Sequence, residues 1–136
     1  MAESVLVGDV SIEFRKVMMC WNGSREASRA FHDSISLIGD SAKVDVVCVD
    51  PSHASDRDPG AEMAGHLSRH GFETEAHKVD CEGLSVADAL LAASADLESD
   101  LIVMGAYGHA RLREVVLGGI TRRVMQQMPV PVLLSH

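Results

Sequence analysis

Four glycines in the carboxyl-terminal third of the sequence have the spacing of a loop that could hold a phosphate group. Gly105 and Gly108 follow a short apolar segment, and Gly118 and Gly119 precede a segment with helical periodicity. Because glycine has no Cβ, the backbone amides beside it can approach a phosphate closely. The start of a helix adds unpaired amides and the positive end of the helix dipole. The alternative is that these glycines only form turns.

The charge around these glycines also favours an anion. The whole chain has a formal net charge of -8, yet the segment from Gly105 to Arg123 contains four arginines and one glutamate. Phosphate is therefore the ligand that this segment predicts. At most weak hydrolysis of a bound phosphate compound is expected, because the chain has no Gly-x-x-x-x-Gly-Lys-Ser/Thr sequence and Glu114 is the only acid in the loop. The arginines are Arg111, Arg113, Arg122 and Arg123.

Another group of residues has a spacing that can bind a metal ion. Glu62, His66 and His70 stand four residues apart, which would place them on one face of a helix, where two histidines can bind zinc. No third strong ligand is evident from the sequence, and structural zinc sites generally have four. A solvated helix surface is therefore the favoured interpretation, and no metal site is predicted.

Alternating strands and helices are expected to position the glycine loop. Strand composition occurs at residues 16–21, 44–49, 72–79, 100–104 and 131–135. Helical periodicity occurs at residues 27–38, 61–70, 84–98 and 121–128. This order predicts a three-layer α/β domain with a five-stranded parallel sheet covered on both faces. Ligands of such sheets bind beyond the carboxyl ends of the strands, which is where the loop after residue 104 would lie.

Composition limits where the chain would act. A length of 136 residues suits one domain, here residues 15–136, with residues 1–14 as an extension that the pattern does not place. No apolar run approaches the roughly 18 residues of a membrane span, and no signal peptide is evident. The three cysteines lack Cys-x-x-Cys spacing and are interpreted as free thiols in the cytoplasm. The net charge of -8 argues against nucleic acid and anionic membranes as partners.

The glycine spacing and the order of the elements together resemble the universal stress protein family. Its nucleotide-binding members carry Gly-x2-Gly-x9-Gly followed by Ser or Thr, and this chain has Gly105, Gly108 and Gly118 followed by Gly119. The resemblance extends from about residue 16 to the carboxyl terminus and includes the turn at residues 21–24. It implies a Rossmann-like fold of the adenine nucleotide alpha hydrolase type, with strand order 3-2-1-4-5.

The resemblance further implies an adenine nucleotide, ATP or a relative such as ADP or AMP, with or without Mg²⁺. The nucleotide would lie between the ends of the first and fourth strands. The matching positions are Asn22 and Cys48 near adenine and ribose, Met104 and Gly105 beside the ribose and first phosphates, and Gly108, His109, Gly118, Gly119 and Ile120 around the phosphate chain.

Two of these positions depart from the family's pattern. Asn22 stands where members usually have Asp, so it brings an amide donor where a carboxylate offers only acceptors. Gly119 stands where members have Ser or Thr, so the hydroxyl that would contact the terminal phosphate is missing while the backbone amide remains. Both departures leave the choice among ATP, ADP and AMP open.

The last predicted strand would form an apolar edge of the sheet. Val130, Val132 and Leu134 alternate along it, and pairing with a second copy would cover them. The family resemblance implies dimers through this strand, so we expect a homodimer through the segment from Val130 to Ser135. The alternative is that the first fourteen residues shield the same edge.

The residues and the resemblance together predict a regulatory module of the stress response that binds an adenine nucleotide and acts on an unidentified protein partner. Two alternatives stay open. One is a stress-response interaction protein of the same fold that binds no ligand, and the other is a slow nucleotide hydrolase.

Overall fold

The fold is an α/β sandwich built on a six-stranded sheet. The computed structural model describes residues 4–7, 14–49, 59–81, 83–105, 119–127 and 130–135. The strands are β1 (Ser4–Val7), β2 (Phe14–Cys20), β3 (Ile38–Val49), β4 (Glu73–Val79), β5 (Leu101–Gly105) and β6 (Val132–Ser135). The helices are α1 (Arg25–Ser34), α2 (Pro59–Arg69), α3 (Val86–Asp96) and α4 (Gly119–Gln127).

The sheet confirms the predicted topology and adds one strand to it. Its spatial order is β1-β6-β5-β2-β3-β4. Strands β2 to β6 pair in parallel with their neighbours, and in chain order they give the predicted arrangement 3-2-1-4-5. The additional strand, β1, comes from the amino-terminal extension and pairs with β6 in the antiparallel sense.

Helices cover both faces of the sheet because its central strands are apolar on both sides. Side chains that alternate along β2, β3 and β5 divide into two buried clusters. One cluster includes Phe31 of α1 and Leu67 of α2, and the other includes Leu90 of α3 and Val124 of α4. Near-continuous apolar strands of this kind are typical of a parallel sheet buried on both faces.

The end of α1 differs from the sequence-based expectation. Helical periodicity predicted a helix through Ile38, but α1 ends at Ser34 and is followed by a short 3₁₀ turn, Ile35–Leu37. Ile38 instead begins β3, where it pairs with Phe14 and is buried. The prediction was wrong because an apolar residue one turn beyond a helix fits both the helical pattern and the first position of a buried strand.

The outer edge of β6 is occupied within the chain. Ser4 pairs with Ser135 and Val7 with Val132, so β1 lies where a second copy's strand would have to pair. This arrangement matches the alternative in which the first fourteen residues shield that edge. The homodimer through the last strand stays a prediction, and it would now require β1 to leave β6 or to pair with β6 of the partner.

None of the helices in the described part of the chain has the length and apolar character needed to cross a membrane.

Removing β1 is expected to increase self-association. A chain that starts at residue 8 would expose the backbone groups of β6, and unpaired sheet edges are templates for pairing with another copy. Sedimentation velocity of the full-length and shortened chains at equal concentration should show a larger dimer fraction for the shortened one.

Point substitutions separate strand pairing from chain length in this experiment. Replacing Val5 and Leu6 together by proline removes backbone donors from β1, whereas Val5→Thr keeps a β-branched residue as the control. The double proline variant should behave like the shortened chain and Val5→Thr like the full-length one. Equal association of all four proteins would contradict the interpretation of β1 as an edge cover.

Candidate functional site

Several of the predicted site residues lie at one edge of the sheet. Cys20, at the end of β2, is in register with Val47 of β3 on one side and with Met104 of β5 on the other. The parallel pairing continues one residue further, since the Trp21 amide donates to the Val47 carbonyl at 2.9 Å. The carboxyl ends of β2, β3 and β5 therefore meet, and they bring Asn22, Cys48 and Gly105 to the same edge.

This edge contains the topological switch point of the sheet. From β2 the chain proceeds to β3 on one side, and it returns on the other side as β5. The helices that follow these two strands pack on opposite faces of the sheet, α1 in one buried cluster and α4 in the other. Open α/β sheets form their ligand crevices at such a switch point, beyond the carboxyl ends of the strands.

The turn between β2 and α1 is held by its own side chains. The Oδ1 atom of Asn22 accepts a hydrogen bond from the Ser24 amide at 3.0 Å, and Ser24 Oγ accepts one from the Ala27 amide at 3.1 Å, which caps the helix. Gly23 between them has φ +78°, a conformation that favours glycine. Because Oδ1 serves the turn, Nδ2 is the polar atom of exposed Asn22 that a ligand would meet.

Gly105 is required by the approach of α1 to β5. A Cβ at position 105 would lie 2.5 Å from the backbone nitrogen of Ala27 and 2.6 Å from the carbonyl carbon of Glu26. Both atoms belong to the first turn of α1, which is backbone and has little freedom to move. Packing alone therefore explains this glycine, whether or not a phosphate lies beside it.

Two predicted site residues at this edge, Met104 and Cys48, differ in how far their side chains are buried. Met104 is fully buried in the cluster beneath α3 and α4, so only its backbone can reach a ligand. Cys48 is half-buried near the end of β3.

The remaining predicted residues belong to the loop after β5 and to α4. Gly119 and Ile120 are the first two residues of α4, and Ile120 packs against the cluster beneath α3 and α4. Gly108, His109 and Gly118 lie outside the described residues. The positions assigned to the phosphate chain are thus described only where α4 begins.

One of the four arginines near the loop is directed toward a neighbouring helix. Arg123 Nε lies 3.4 Å from Asp88 Oδ1 on α3, and both side chains are partly exposed. Arg122 is exposed, while Arg111 and Arg113 lie outside the described residues. The pairing reduces the positive charge that Arg123 offers to an anion.

The three cysteines differ in accessibility, and all have free thiols. Cys20 lies completely buried among apolar side chains, and this burial raises the pKa of its thiol to about 12. A raised pKa favours the neutral thiol, which is neither a nucleophile nor a metal ligand. Cys48 and Cys81 are half-buried.

The structure brings together a metal-ligand group that sequence reasoning missed. Among the described residues, three potential metal ligands have donor atoms that lie close together. They are Asp45, Glu75 and His77. Glu62, His66 and His70, which have metal-ligand spacing in the sequence, do not form such a group, although the ring centroids of His66 and His70 are 4.8 Å apart. One signal was available, since Asp45 interrupts an apolar strand and Glu75 and His77 are two residues apart on the next one.

Comparisons with known proteins agree with this architecture. The family model described as the universal stress protein family matches residues 13–136. A curated relative, universal stress protein Slr1230 of Synechocystis sp., is 29% identical over 122 residues, and the match covers 87% of this chain. This chain spans only 41% of that relative's length.

Solved structures of universal stress proteins share the fold. One from Archaeoglobus fulgidus has a TM-score of 0.75 at 20% identity, and the match covers 96% of this chain and 48% of that one. A universal stress protein in complex with cAMP has a TM-score of 0.66 at 19% identity, with 92% and 98% of the two chains covered.

Substituting Gly105 is expected to destabilise the chain even without ligand. In Gly105→Ala the new methyl group would overlap the backbone of α1, and overpacking of this kind costs about 1–3 kcal/mol. Urea unfolding should show a lower midpoint. Gly65→Ala is the matched control, because Gly65 lies in α2 with no atom within 4 Å of its added Cβ. This control should be stabilised by about 0.5–1 kcal/mol through helix propensity; equal stability of the two variants would refute the packing explanation.

Cys20 is expected to resist alkylation in the folded protein. With a pKa of about 12, only about one thiol in ten thousand is a thiolate at pH 8, and burial blocks access in addition. Iodoacetamide labelling followed by peptide mass spectrometry should modify Cys48 and Cys81 before Cys20. All three should react at similar rates in urea, and rapid native labelling of Cys20 would show that this core opens readily.

Proposed function

Because this chain belongs to the universal stress protein family, we propose that it is an adenine nucleotide-binding regulatory module of the stress response. The observation that carries the proposal is that the ends of β2 and β5 meet at the topological switch point, where sheets of this class form a ligand crevice. The Asn22 turn lies at the end of β2, and Gly105, where the glycine loop starts, lies at the end of β5.

The chemistry at this crevice suits a nucleoside phosphate. Nδ2 of Asn22 can donate to a ribose oxygen or to an adenine ring nitrogen, since both are acceptors. The glycine spacing from Gly105 to Gly118 supplies backbone amides for phosphate oxygens, and α4 begins directly after it at Gly119. The universal stress protein of the same fold that was crystallised with cAMP supports adenine as the base.

The module is proposed to bind its nucleotide rather than to turn it over efficiently. ATP, ADP and AMP are all candidates, because Gly119 has no hydroxyl for a terminal phosphate while its backbone amide remains. Mg²⁺ would accompany the phosphates as their counter-ion. Occupancy would change the surface that the glycine loop presents to a protein partner in the cytoplasm. A homodimer through the last strand would form when β1 leaves β6 or pairs with β6 of the second copy.

An interaction protein of the same fold that binds no ligand is the second candidate. Two observations favour it. Gly105 is explained by its contact with α1, and the Asn22 oxygen is explained by the hydrogen bond to the Ser24 amide. Neither residue needs a nucleotide to account for its presence.

Nucleotide titration distinguishes the two candidates. Adenine nucleotides should stabilise the protein against thermal unfolding, by about 2.7 kcal/mol when the free ligand is at a hundredfold its Kd. GTP should have a smaller effect if the base is recognised. Isothermal titration calorimetry with ATP, ADP, AMP and cAMP, each with and without Mg²⁺, gives the order of affinities.

Two variants test the position of the site. Gly118→Val places a branched side chain in the glycine loop and should abolish binding. Gly65→Val makes the same change at an exposed position of α2 and should leave binding intact. Asn22→Asp keeps the oxygen that accepts from Ser24 and should alter the order of affinities. Absence of any saturable binding by the unmodified chain would support the interaction protein, and phosphate release that Gly118→Val abolishes would support a hydrolase.

A further inference from the structure

A polar cluster lies on the sheet between β3 and β4, away from the crevice. Asp45 of β3 is directly in register with Glu75 of β4, and His77 is two residues further along β4 on the same face. His77 Nε2 is 2.9 Å from Asp45 Oδ1 and 3.9 Å from Glu75 Oε2. The three donor atoms all lie within 4.8 Å of one another. The cluster therefore combines one imidazole nitrogen and two carboxylates around a common point.

The three side chains differ in how much they are exposed to solvent. The side chain of Asp45 is 2% exposed, that of His77 is 26% exposed, and that of Glu75 is 56% exposed. Asp45 and His77 thus form a fixed inner pair, while Glu75 is open to solvent and free to adjust. An ion could enter from the side of Glu75 without disturbing the core.

The cluster already attracts a positive charge. Lys43 Nζ lies 2.9 Å from Glu75 Oε2 and 3.7 Å from Asp45 Oδ1. Its hydrogen bond to Glu75 raises the pKa of Lys43, with Asp45 adding to the shift, and the same hydrogen bond lowers the pKa of Glu75. The Lys43 ammonium group therefore already lies beside the two carboxylates that a metal ion would use.

A surface ion-pair network is the simpler explanation for Lys43 and Glu75, and exposed pairs of this kind contribute little. Buried Asp45 is satisfied by a hydrogen bond with the His77 imidazole, whose Nε2 lies 2.9 Å from Oδ1, and a metal ion bound to both groups would replace the proton between them. Metal bonds of about 2.0–2.2 Å place ligand atoms roughly 3–3.5 Å apart in a tetrahedral site. The separation between Asp45 and His77 is near that range, and rotation of exposed Glu75 can close the rest.

We propose that Asp45, Glu75 and His77 form a binding site for a divalent transition-metal ion, which enters by displacing the ammonium group of Lys43. Imidazole combined with carboxylates is a donor set that suits Zn²⁺, with solvent completing the coordination. The bound ion would tie the edge strand β4 to β3. Asp45 is three residues before Cys48, or about 10 Å at the rise of a strand, and on the opposite face of the sheet, so the site is separate from the proposed nucleotide crevice.

Zinc binding to the full-length protein tests this proposal. After treatment with a chelator and its removal, calorimetric titration with ZnCl₂ should show one saturable site. His77→Gln and Asp45→Asn should each weaken binding at least about tenfold, because each removes a direct ligand. Lys43→Gln should tighten binding about tenfold or more, because it removes a like charge beside the ion while leaving all three ligands.

His66 in α2 and His70 just after it provide the matched control. The double variant His66→Gln, His70→Gln removes the other histidine pair and should bind Zn²⁺ as the unmodified chain does. Long-range ¹H–¹⁵N spectra of the unmodified protein supply a second readout that needs no variant to fold, since the His77 imidazole should shift first as Zn²⁺ is added.

Three results would overturn the proposal. They are the absence of saturable binding into the millimolar range, affinity that is unchanged in His77→Gln, and binding that is lost in the His66→Gln, His70→Gln variant. Unchanged or weaker binding by Lys43→Gln would overturn the displacement step.

Discussion

The first turn of α1 and the end of β5 approach each other more closely than any side chain at position 105 would allow. This contact determines where α1 begins relative to the sheet, and therefore where the turn that precedes it can lie. Gly23 and the hydrogen bonds to Ser24 and Ala27 amides complete the same local arrangement. The placement of the Asn22 turn beside the end of β5 is therefore a consequence of backbone packing and needs no ligand.

Much of the fold was predictable because the strands and their connections have strong local patterns. The apolar segments of β2, β3 and β5, with helices between them, were sufficient to predict a parallel sheet, and the family resemblance supplied its order 3-2-1-4-5. The boundary at Ile38 was missed because its apolar side chain satisfies two patterns at once. The strand β1 was not predicted, and the cover that the first fourteen residues give to β6 was only an alternative, since the four residues of β1 pair with residues 132–135 and no local pattern reports so distant a partner.

The candidate sites show the same division between local and long-range information. Gly105 was identified from its position after a strand and Asn22 from the family resemblance, but the roles of their atoms depend on the turn and on α1, which meet them only in the folded chain. The cluster of Asp45, Glu75 and His77 could be recognised only from the register of β3 and β4, which are separated in the sequence by α2. A spacing of thirty residues along the chain carries no recognisable metal-ligand pattern, whereas adjacent strands place the same residues within hydrogen-bonding distance.

The pairing of β1 with β6 also has a consequence for how the chain folds. Ser4 and Ser135 are partners, so this strand pair closes nearly the whole chain into one loop. Closing a long loop costs only slightly more entropy than closing a short one, but contacts of such high sequence separation form late. In the described sheet β1 joins through β6 alone, and β6 itself needs β5. The central strands can therefore assemble first, and β1, although it precedes them in the sequence, would be the last strand to pair.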